Sequence, residues 1–148
     1  MIEGLEIKKL KVNYDERGHL MEILRKDDKI FKKFGQVYIT TVKKDIIKAW
    51  HYHKLQDDYF CCIYGKILLA VYDARKNSKT FGKLSKWVLS LENPKLIKIP
   101  ALVYHGFKGL SEEEAIVINI PTKPYNRKNP DEYRVNPFDK NINFNWKI

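Results

Sequence analysis

Short β-rich runs bounded by Gly, Asn, Asp or Pro recur along this chain, and they restrict its fold more than any other feature. The sequence contains no internal repeat and almost no helical periodicity. One helical or 3₁₀ turn is predicted over residues 27–34. Nine strands are predicted, at residues 5–12, 20–24, 36–42, 46–53, 59–64, 66–73, 84–90, 96–99 and 115–120. Strands of this number and length are typical of a sandwich or jelly roll, so the predicted fold class is all-β.

The chain has 148 residues, which suits one domain with one core, predicted to span residues 1–148. Its character changes near residue 121. Four of the six prolines follow that point and prevent regular strand pairing there. Residues 121–148 are therefore predicted to form an extended arm. Because the arm also carries five large aromatic side chains, we expect it to pack across the domain or onto a partner subunit.

The net charge of +10 comes from lysines scattered along the whole chain rather than from a basic run. This pattern favours a solvated basic surface, or a phosphate-bearing small ligand, over a nucleic-acid partner. No apolar run is long enough for a membrane span, and the N-terminus lacks a signal-peptide pattern. Cys61 and Cys62 are neighbours on opposite faces of a predicted strand and cannot form a stabilising disulfide. We therefore expect a cytoplasmic protein without a membrane partner.

Three of the four histidines lie in two motifs that suggest a site. Side chains alternate along a strand, so His51 and His53 should face one side while Trp50 and Tyr52 face the other. With Asp58 and His105, they could hold one divalent transition metal such as Zn²⁺, Fe²⁺, Mn²⁺ or Ni²⁺. The other interpretation is that these histidines act without a metal, or only form buried hydrogen bonds.

These motifs resemble those of the cupin superfamily. The spacing His51-x-His53-x4-Asp58-x6-Gly65 resembles the first cupin motif, and Pro100-x-Leu102-x2-His105 resembles the second. Asp58 replaces the usual Glu, Leu102 the usual Gly, and Gly109 the usual Asn. The resemblance implies a cupin-type jelly roll, or double-stranded β-helix.

A narrower resemblance covers four ordered motifs within about 95 residues. DERGHLME at 15–22 and YDARKNSKTFG at 72–82 are similar to motifs of the dTDP-4-dehydrorhamnose 3,5-epimerase family, and residues 89–93 and 99–107 continue the match. The family implies a homodimer with exchanged strands. Its substrates are nucleotide-diphosphate 4-keto-6-deoxy sugars, and its proton-transfer chemistry needs no cofactor.

The same resemblance implies roles for individual residues. His51 occupies the place of the family's catalytic base, and Lys48 stands in for an arginine near phosphate or enolate oxygen. His53 and Asp58 complete the candidate catalytic set, in which Asp58 would orient His51 or His53. However, the family's tyrosine acid falls on Asn119, and the family's partner carboxylate has no counterpart at the end of this chain.

Six residues are candidates for substrate binding: Arg17, Glu22, Tyr38, Lys48, His105 and Tyr125. Arg17 would bind phosphate, in the partner's active site or its own, or would be an ordinary surface arginine. Glu22 would contact the nucleotide or lie at a strand edge. The two tyrosines would donate to sugar or phosphate oxygens, or pack on the core.

Other functions stay open at this point. KAWHYHK at 48–54 is also similar to the R-G-x-H-A-H-K segment of nucleotide-sugar 3,4-ketoisomerases. Two histidines on one face suit the transfer of a proton between adjacent carbons. A metal-dependent cupin enzyme and a non-catalytic sugar-nucleotide binder are the remaining alternatives.

Overall fold

The protein is built from β-strands. A computed structural model describes residues 1–147, and it contains no helix in that range. The all-β prediction is therefore confirmed. The strands are β1 Glu6–Lys9, β2 Val12–Asp15, β3 Gly18–Met21, β4 Tyr38–Val42, β5 Ile47–Tyr52, β6 Asp58–Tyr64, β7 Lys66–Tyr72, β8 Leu84–Ser90, β9 Lys95–Ile99, β10 Tyr104–Gly109, β11 Ala115–Asn119 and β12 Tyr133–Arg134.

Two five-stranded antiparallel sheets form the body of the molecule. Their strand orders are β1-β9-β6-β11-β4 and β12-β5-β10-β7-β8, while β2 and β3 form a separate hairpin. The main core lies between the two sheets and contains Leu69 and Val71 from one sheet and Ile97 and Val117 from the other. All four are fully buried. Alternation along each strand puts these side chains on the inner faces, as expected for packed sheets.

Several predicted boundaries differ from the observed ones. Residues 5–12 form parts of two strands, because β1 pairs with β9 whereas β2, which begins at residue 12, pairs with β3 in the hairpin. The sequence pattern does not predict the strands β10 and β12, because the prolines and glycines around them are typical of loops.

The segment 27–34 contains one hydrogen-bonded turn, in which Phe31 N donates to Asp28 O at 2.9 Å, as the prediction of a single turn expects, and it contains no helix. The hydroxyl of Tyr59 accepts a hydrogen bond from Lys32 N and donates one to Ile30 O. These two bonds tie the segment to the sheet and use backbone groups that a helix would need.

Two smaller hydrophobic clusters cover the outer faces of the sheets. The first joins Cys61 to Ile30 and Leu96, whereas Cys62 lies in the main core. The two thiols therefore face opposite sides of β6, as predicted, and both are free and buried. The second cluster joins Trp50 to Ile142 and Trp146.

Residues 121–147 contain one strand, β12, which pairs with β5. Trp50 and Val135 exchange two backbone hydrogen bonds that continue this pairing. Trp146 is 3% exposed and packs against Trp50 with 5.1 Å between ring centroids. The end of the described chain thus packs on the outer face of the second sheet. Among residues 1–147, no helix has the length and hydropathy of a membrane span.

Candidate functional site

A cavity of about 950 Å³ opens between the two sheets. Residues of four strands line it: β4 and β6 from one sheet, and β5 and β10 from the other. Residues 123–134 complete its rim. Such a volume suits a ligand of the size of a small cofactor or nucleotide.

Strand β5 and the residue that follows it supply two histidines of the site, His51 in the strand and His53 just after it. His51 and His53 face the cavity. Trp50 lies in the outer cluster, and Tyr52 stacks on Tyr104 with ring centroids 4.6 Å apart. The alternation of a strand thus places both imidazoles on the inner face.

A close approach between β5 and β10 holds this part of the site together. A Cβ built on Gly106 would lie 2.2 Å from the Cβ of Ala49. Glycine is therefore required next to His105 for β10 to pair this closely with β5, whose His51 is the register partner of His105.

Asp58 forms a buried ion pair with His53. Its Oδ2 lies 3.0 Å from His53 Nε2, and its side chain is 1% exposed. Gln56 Nε2 donates to the other carboxylate oxygen at 2.9 Å. Of the two histidines that Asp58 was predicted to orient, the structure pairs it with His53. Its burial also argues against an ordinary surface aspartate at a strand start.

His53 is held from both sides of its ring. Its Nδ1 donates to the backbone carbonyl of Asp131, while Nε2 faces Asp58. Burial alone would lower the pKa of His53, but the hydrogen bond and charge of Asp58, together with the Asp131 carbonyl, raise that pKa to about 9. The pKa of Asp58 is lowered by the same pair, against the opposing effect of its burial. At neutral pH the pair is imidazolium and carboxylate.

His51 and His105 differ from His53 in charge. Burial, and then the nearby charge of Arg134, lowers the pKa of His51 below its ordinary value. Burial lowers the pKa of His105 to about 4, although its Nε2 lies 3.4 Å from Asp58 Oδ2. Both imidazoles are therefore uncharged at neutral pH. A neutral imidazole that faces a cavity can accept a proton.

Tyr38 and Lys48 also line the cavity, from neighbouring parts of the two sheets. Asn119, which is fully buried, donates a hydrogen bond of 2.8 Å from Nδ2 to the Tyr38 hydroxyl. Lys48 Nζ donates to Thr40 Oγ1 at 3.0 Å and to Thr41 O at 2.8 Å. Tyr125 lies at the rim and is half exposed.

Two residues predicted to bind substrate lie outside the chain's own cavity. Arg17 is in the tight turn of the β2–β3 hairpin and pairs with Asp15 at 2.6 Å. Glu22 follows the hairpin and pairs with Arg25 at 3.0 Å. Within one chain, the structure brings neither residue to the histidines, because the hairpin pairs with neither main sheet.

The cavity also contains charged residues that the sequence did not single out. Asp131, Glu132 and Arg134 line it from the segment around β12. Asp131 accepts from the backbone N–H groups of Lys54 and Leu55, each at 2.8 Å. The only sequence signal for these residues is a short charged cluster after a proline, which is typical of many surface loops.

Three side chains of the cavity are close enough together to bind a divalent metal ion, which is the alternative to a site that works without metal. His53, Asp58 and His105 offer ligand atoms that all lie within 4.8 Å of one another, and His51 is not part of this group. The predicted four-residue set is therefore reduced to three. Two imidazoles and a carboxylate can bind Zn²⁺ or Fe²⁺, provided that His53 first loses its proton.

Known proteins of one family resemble this chain over almost its whole length. A protein-family model described as dTDP-4-dehydrorhamnose 3,5-epimerase matches residues 1–148. The spore coat polysaccharide biosynthesis protein SpsL of Bacillus subtilis is 38% identical, over 99% of this chain and 97% of its own length.

Two solved structures extend the likeness to the fold. A dTDP sugar isomerase from Desulfovibrio desulfuricans G20 has a TM-score of 0.92 and 30% identity, covering 98% of this chain and 92% of that one. An epimerase from Legionella pneumophila, solved with dTDP-4-keto-L-rhamnose, has a TM-score of 0.86 and 26% identity, covering 98% of this chain and 79% of that one. The chain belongs to the dTDP-4-dehydrorhamnose 3,5-epimerase family, whose members are isomerase-class enzymes.

Proposed function

We propose that this chain epimerises a nucleotide-diphosphate 4-keto-6-deoxy sugar during polysaccharide synthesis, with His51 as the base. The observation that carries the proposal is the pairing of an uncharged His51 with a charged His53 on one wall of the cavity. Family membership supports the reaction class, and the Legionella relative solved with dTDP-4-keto-L-rhamnose supports the substrate class.

The chemistry follows from the acidity of carbons next to a ketone. His51 removes a proton from such a carbon, and the electron pair moves into the carbonyl to give an enolate. The charge of His53 lowers the energy of that anion. Lys48 already donates two hydrogen bonds to β4, which leaves its third N–H for a substrate oxygen.

Cations around the cavity suit the diphosphate of the substrate. Lys123 and Arg134 line it together with Lys48. Arg134 donates from Nε and Nη2 to Glu132 Oε1, at 3.1 and 2.8 Å, which leaves its other N–H groups for a phosphate oxygen. The proposed reaction needs no cofactor, because the substrate's own ketone stabilises the carbanion. The metal-dependent alternative would show as a stoichiometric transition metal in protein purified without added metal.

The His51→Asn variant tests the base. We expect it to lose deuterium exchange at the ring carbons of dTDP-4-keto-6-deoxyglucose in D₂O by about 100-fold or more, measured by NMR. The matched control is His19→Asn, since His19 is exposed in the hairpin. Exchange at the wild-type rate in His51→Asn would contradict the assignment. Substrate binding without any exchange in the wild type would instead indicate a non-catalytic binder.

A 3,4-ketoisomerase is the second candidate function. The observation that favours it is that His51 and His53 both face the cavity from one strand, so that two imidazoles could serve adjacent carbons. The same NMR experiment separates the two reactions. Epimerisation inverts C3 or C5 and keeps the carbonyl at C4, whereas ketoisomerisation moves the carbonyl to C3.

A further inference from the structure

The family resemblance implies a tyrosine acid at the position that Asn119 occupies in this chain. An amide cannot donate a proton to carbon at a useful rate, yet epimerisation needs a donor on the face of the sugar opposite the base. Asn119 is fully buried, and its Oδ1 has no hydrogen-bond partner among residues 1–147. A buried polar atom without a hydrogen bond destabilises the fold, so a functional role for this side chain would explain why it is present.

The partner of Asn119 is a tyrosine on the neighbouring strand. In the register of β4 and β11, Asn119 pairs with Tyr38. Asn119 Nδ2 donates to the Tyr38 hydroxyl at 2.8 Å. Because this hydroxyl oxygen accepts that bond, its own proton stays available for a group in the cavity.

Tyr38 and His51 come from different sheets. Tyr38 belongs to β4 at the edge of the first sheet, and His51 belongs to β5 in the second sheet. Both line the same cavity. A sugar ring bound between the sheets would thus have the base on one sheet and the phenol on the other sheet.

We propose that Tyr38 is the catalytic acid of this enzyme and that Asn119 positions it. This inference rests on the proposed epimerase function and deepens it. His51 takes the proton from the carbon next to the ketone, and the C–H electron pair forms the enolate. The Tyr38 O–H bond then breaks, and its proton forms a new C–H bond on the opposite face. The phenolate and the imidazolium return to their starting forms by exchanging one proton through solvent.

The state of the phenol agrees with this role. Tyr38 is 41% exposed as a whole residue, but burial around its hydroxyl, and then the negative charge of Asp58, raises the pKa of Tyr38 to about 12. The hydroxyl therefore keeps its proton at neutral pH. Tyr125 also lines the cavity, but no described residue forms a hydrogen bond with its hydroxyl.

The test separates proton removal from inversion. The variant Tyr38→Phe is incubated with dTDP-4-keto-6-deoxyglucose in D₂O, and NMR follows both deuterium exchange and inversion at C3 and C5. We expect the inverted product to fall by about 100-fold or more, while His51 still exchanges deuterium on its own face at the wild-type order of magnitude. The control is Tyr64→Phe, since Tyr64 is exposed and lies outside the cavity. Circular dichroism and dTDP binding check that Tyr38→Phe folds.

The possible outcomes are distinct. Inversion at the wild-type rate in Tyr38→Phe, or its loss in Tyr125→Phe instead, would overturn the assignment of the acid alone. A wild-type chain that neither exchanges nor inverts would overturn the proposed function and this assignment with it.

The Asn119→Asp variant tests the positioning role. A carboxylate would accept a hydrogen bond from the Tyr38 hydroxyl, whereas the amide of Asn119 donates a hydrogen bond to it. We expect kcat to fall with KM unchanged, and an unchanged kcat in a folded Asn119→Asp variant would argue against positioning. If this variant does not fold, Tyr38→Phe remains the decisive measurement.

Discussion

The charges of three neighbouring imidazoles are set by different contacts of each ring. His53 has an acceptor at both nitrogens, the Asp131 carbonyl and the Asp58 carboxylate, so it keeps its proton. Burial, and then the nearby charge of Arg134, lowers the pKa of His51 against the smaller opposing effect of Glu132, so His51 loses its proton more readily. Pairs of titratable groups with diverging pKa values are a feature of acid–base sites.

This divergence predicts a bell-shaped pH profile. A base must be unprotonated, so kcat/KM should rise as pH increases through the pKa of His51, which lies below its usual value. It should fall as pH increases through the pKa of His53, about 9, when the imidazolium charge is lost.

The variant Asp58→Asn tests whether the alkaline limb of the pH profile reflects the titration of His53. Removal of the carboxylate removes the main cause of the raised pKa of His53, so the alkaline limb should move toward neutral pH. The acid limb, which belongs to His51, should change little. Steady-state kinetics across the pH range measure both limbs. An alkaline limb that stays in place would show that it does not belong to His53.

At the scale of elements, the two-residue strand β12 links the hydrophobic cluster on the outer face of the second sheet to the rim of the cavity. It pairs with β5, placing Arg134 opposite His51 and Tyr133 opposite Tyr52. Tyr52 stacks on Tyr133 at 5.0 Å between ring centroids. Further along the chain, Trp146 fixes the segment against Trp50. Packing on the outer face thus holds charged residues at the rim of the cavity.

Loss of this anchor should destabilise the fold. Trp146→Ala removes a 3% exposed indole that contacts both Trp50 and Phe144, and we expect a loss of about 3–5 kcal/mol in the free energy of unfolding. Phe138→Ala is the control from the same segment, because Phe138 is 71% exposed and should change stability by only about 0.5 kcal/mol. Urea denaturation measures both values. Equal losses would mean that Trp146 is not an anchor.

At the scale of the whole molecule, the β2–β3 hairpin pairs with neither main sheet, and Met21 packs it against the hydrophobic cluster on the outer face of the first sheet. Tyr14 is 69% exposed and Leu20 is 61% exposed on this hairpin, and Ile39 is 61% exposed on the edge strand β4. Exposed apolar side chains beside an open sheet edge favour association with a second chain. The homodimer implied by the family resemblance therefore stays our prediction, with Arg17 and Glu22 reaching the partner's cavity.

Light scattering and a mixing experiment test this arrangement. We expect a molar mass twice the 17.6 kDa of one chain. We also expect that Arg17→Ala and His51→Asn chains, each impaired alone, recover activity when co-expressed. Each mixed dimer would contain one cavity with His51 from one chain and Arg17 from the other. A monomeric mass, or no recovery in mixed dimers, would mean that the site is complete within one chain.

Local pattern was sufficient for most of the strands and for the direction of individual side chains. A period of two predicted that His51 and His53, at the end of β5, share one face and that Cys61 and Cys62 of β6 lie on opposite faces, because alternation depends only on the backbone of one strand. The same reasoning could not detect β10, where Gly106 is required by the closeness of a neighbouring strand.

The sequence by itself determined an all-β chain with three histidines available for one site. Only the tertiary structure decided which groups pair: Asp58 with His53, Asn119 with Tyr38, and Asp131 with a histidine 78 residues before it. The physical reason is that these contacts join strands and segments far apart in the chain. Their partners depend on the order and register of strands in the sheets, and the period along a single strand does not specify either.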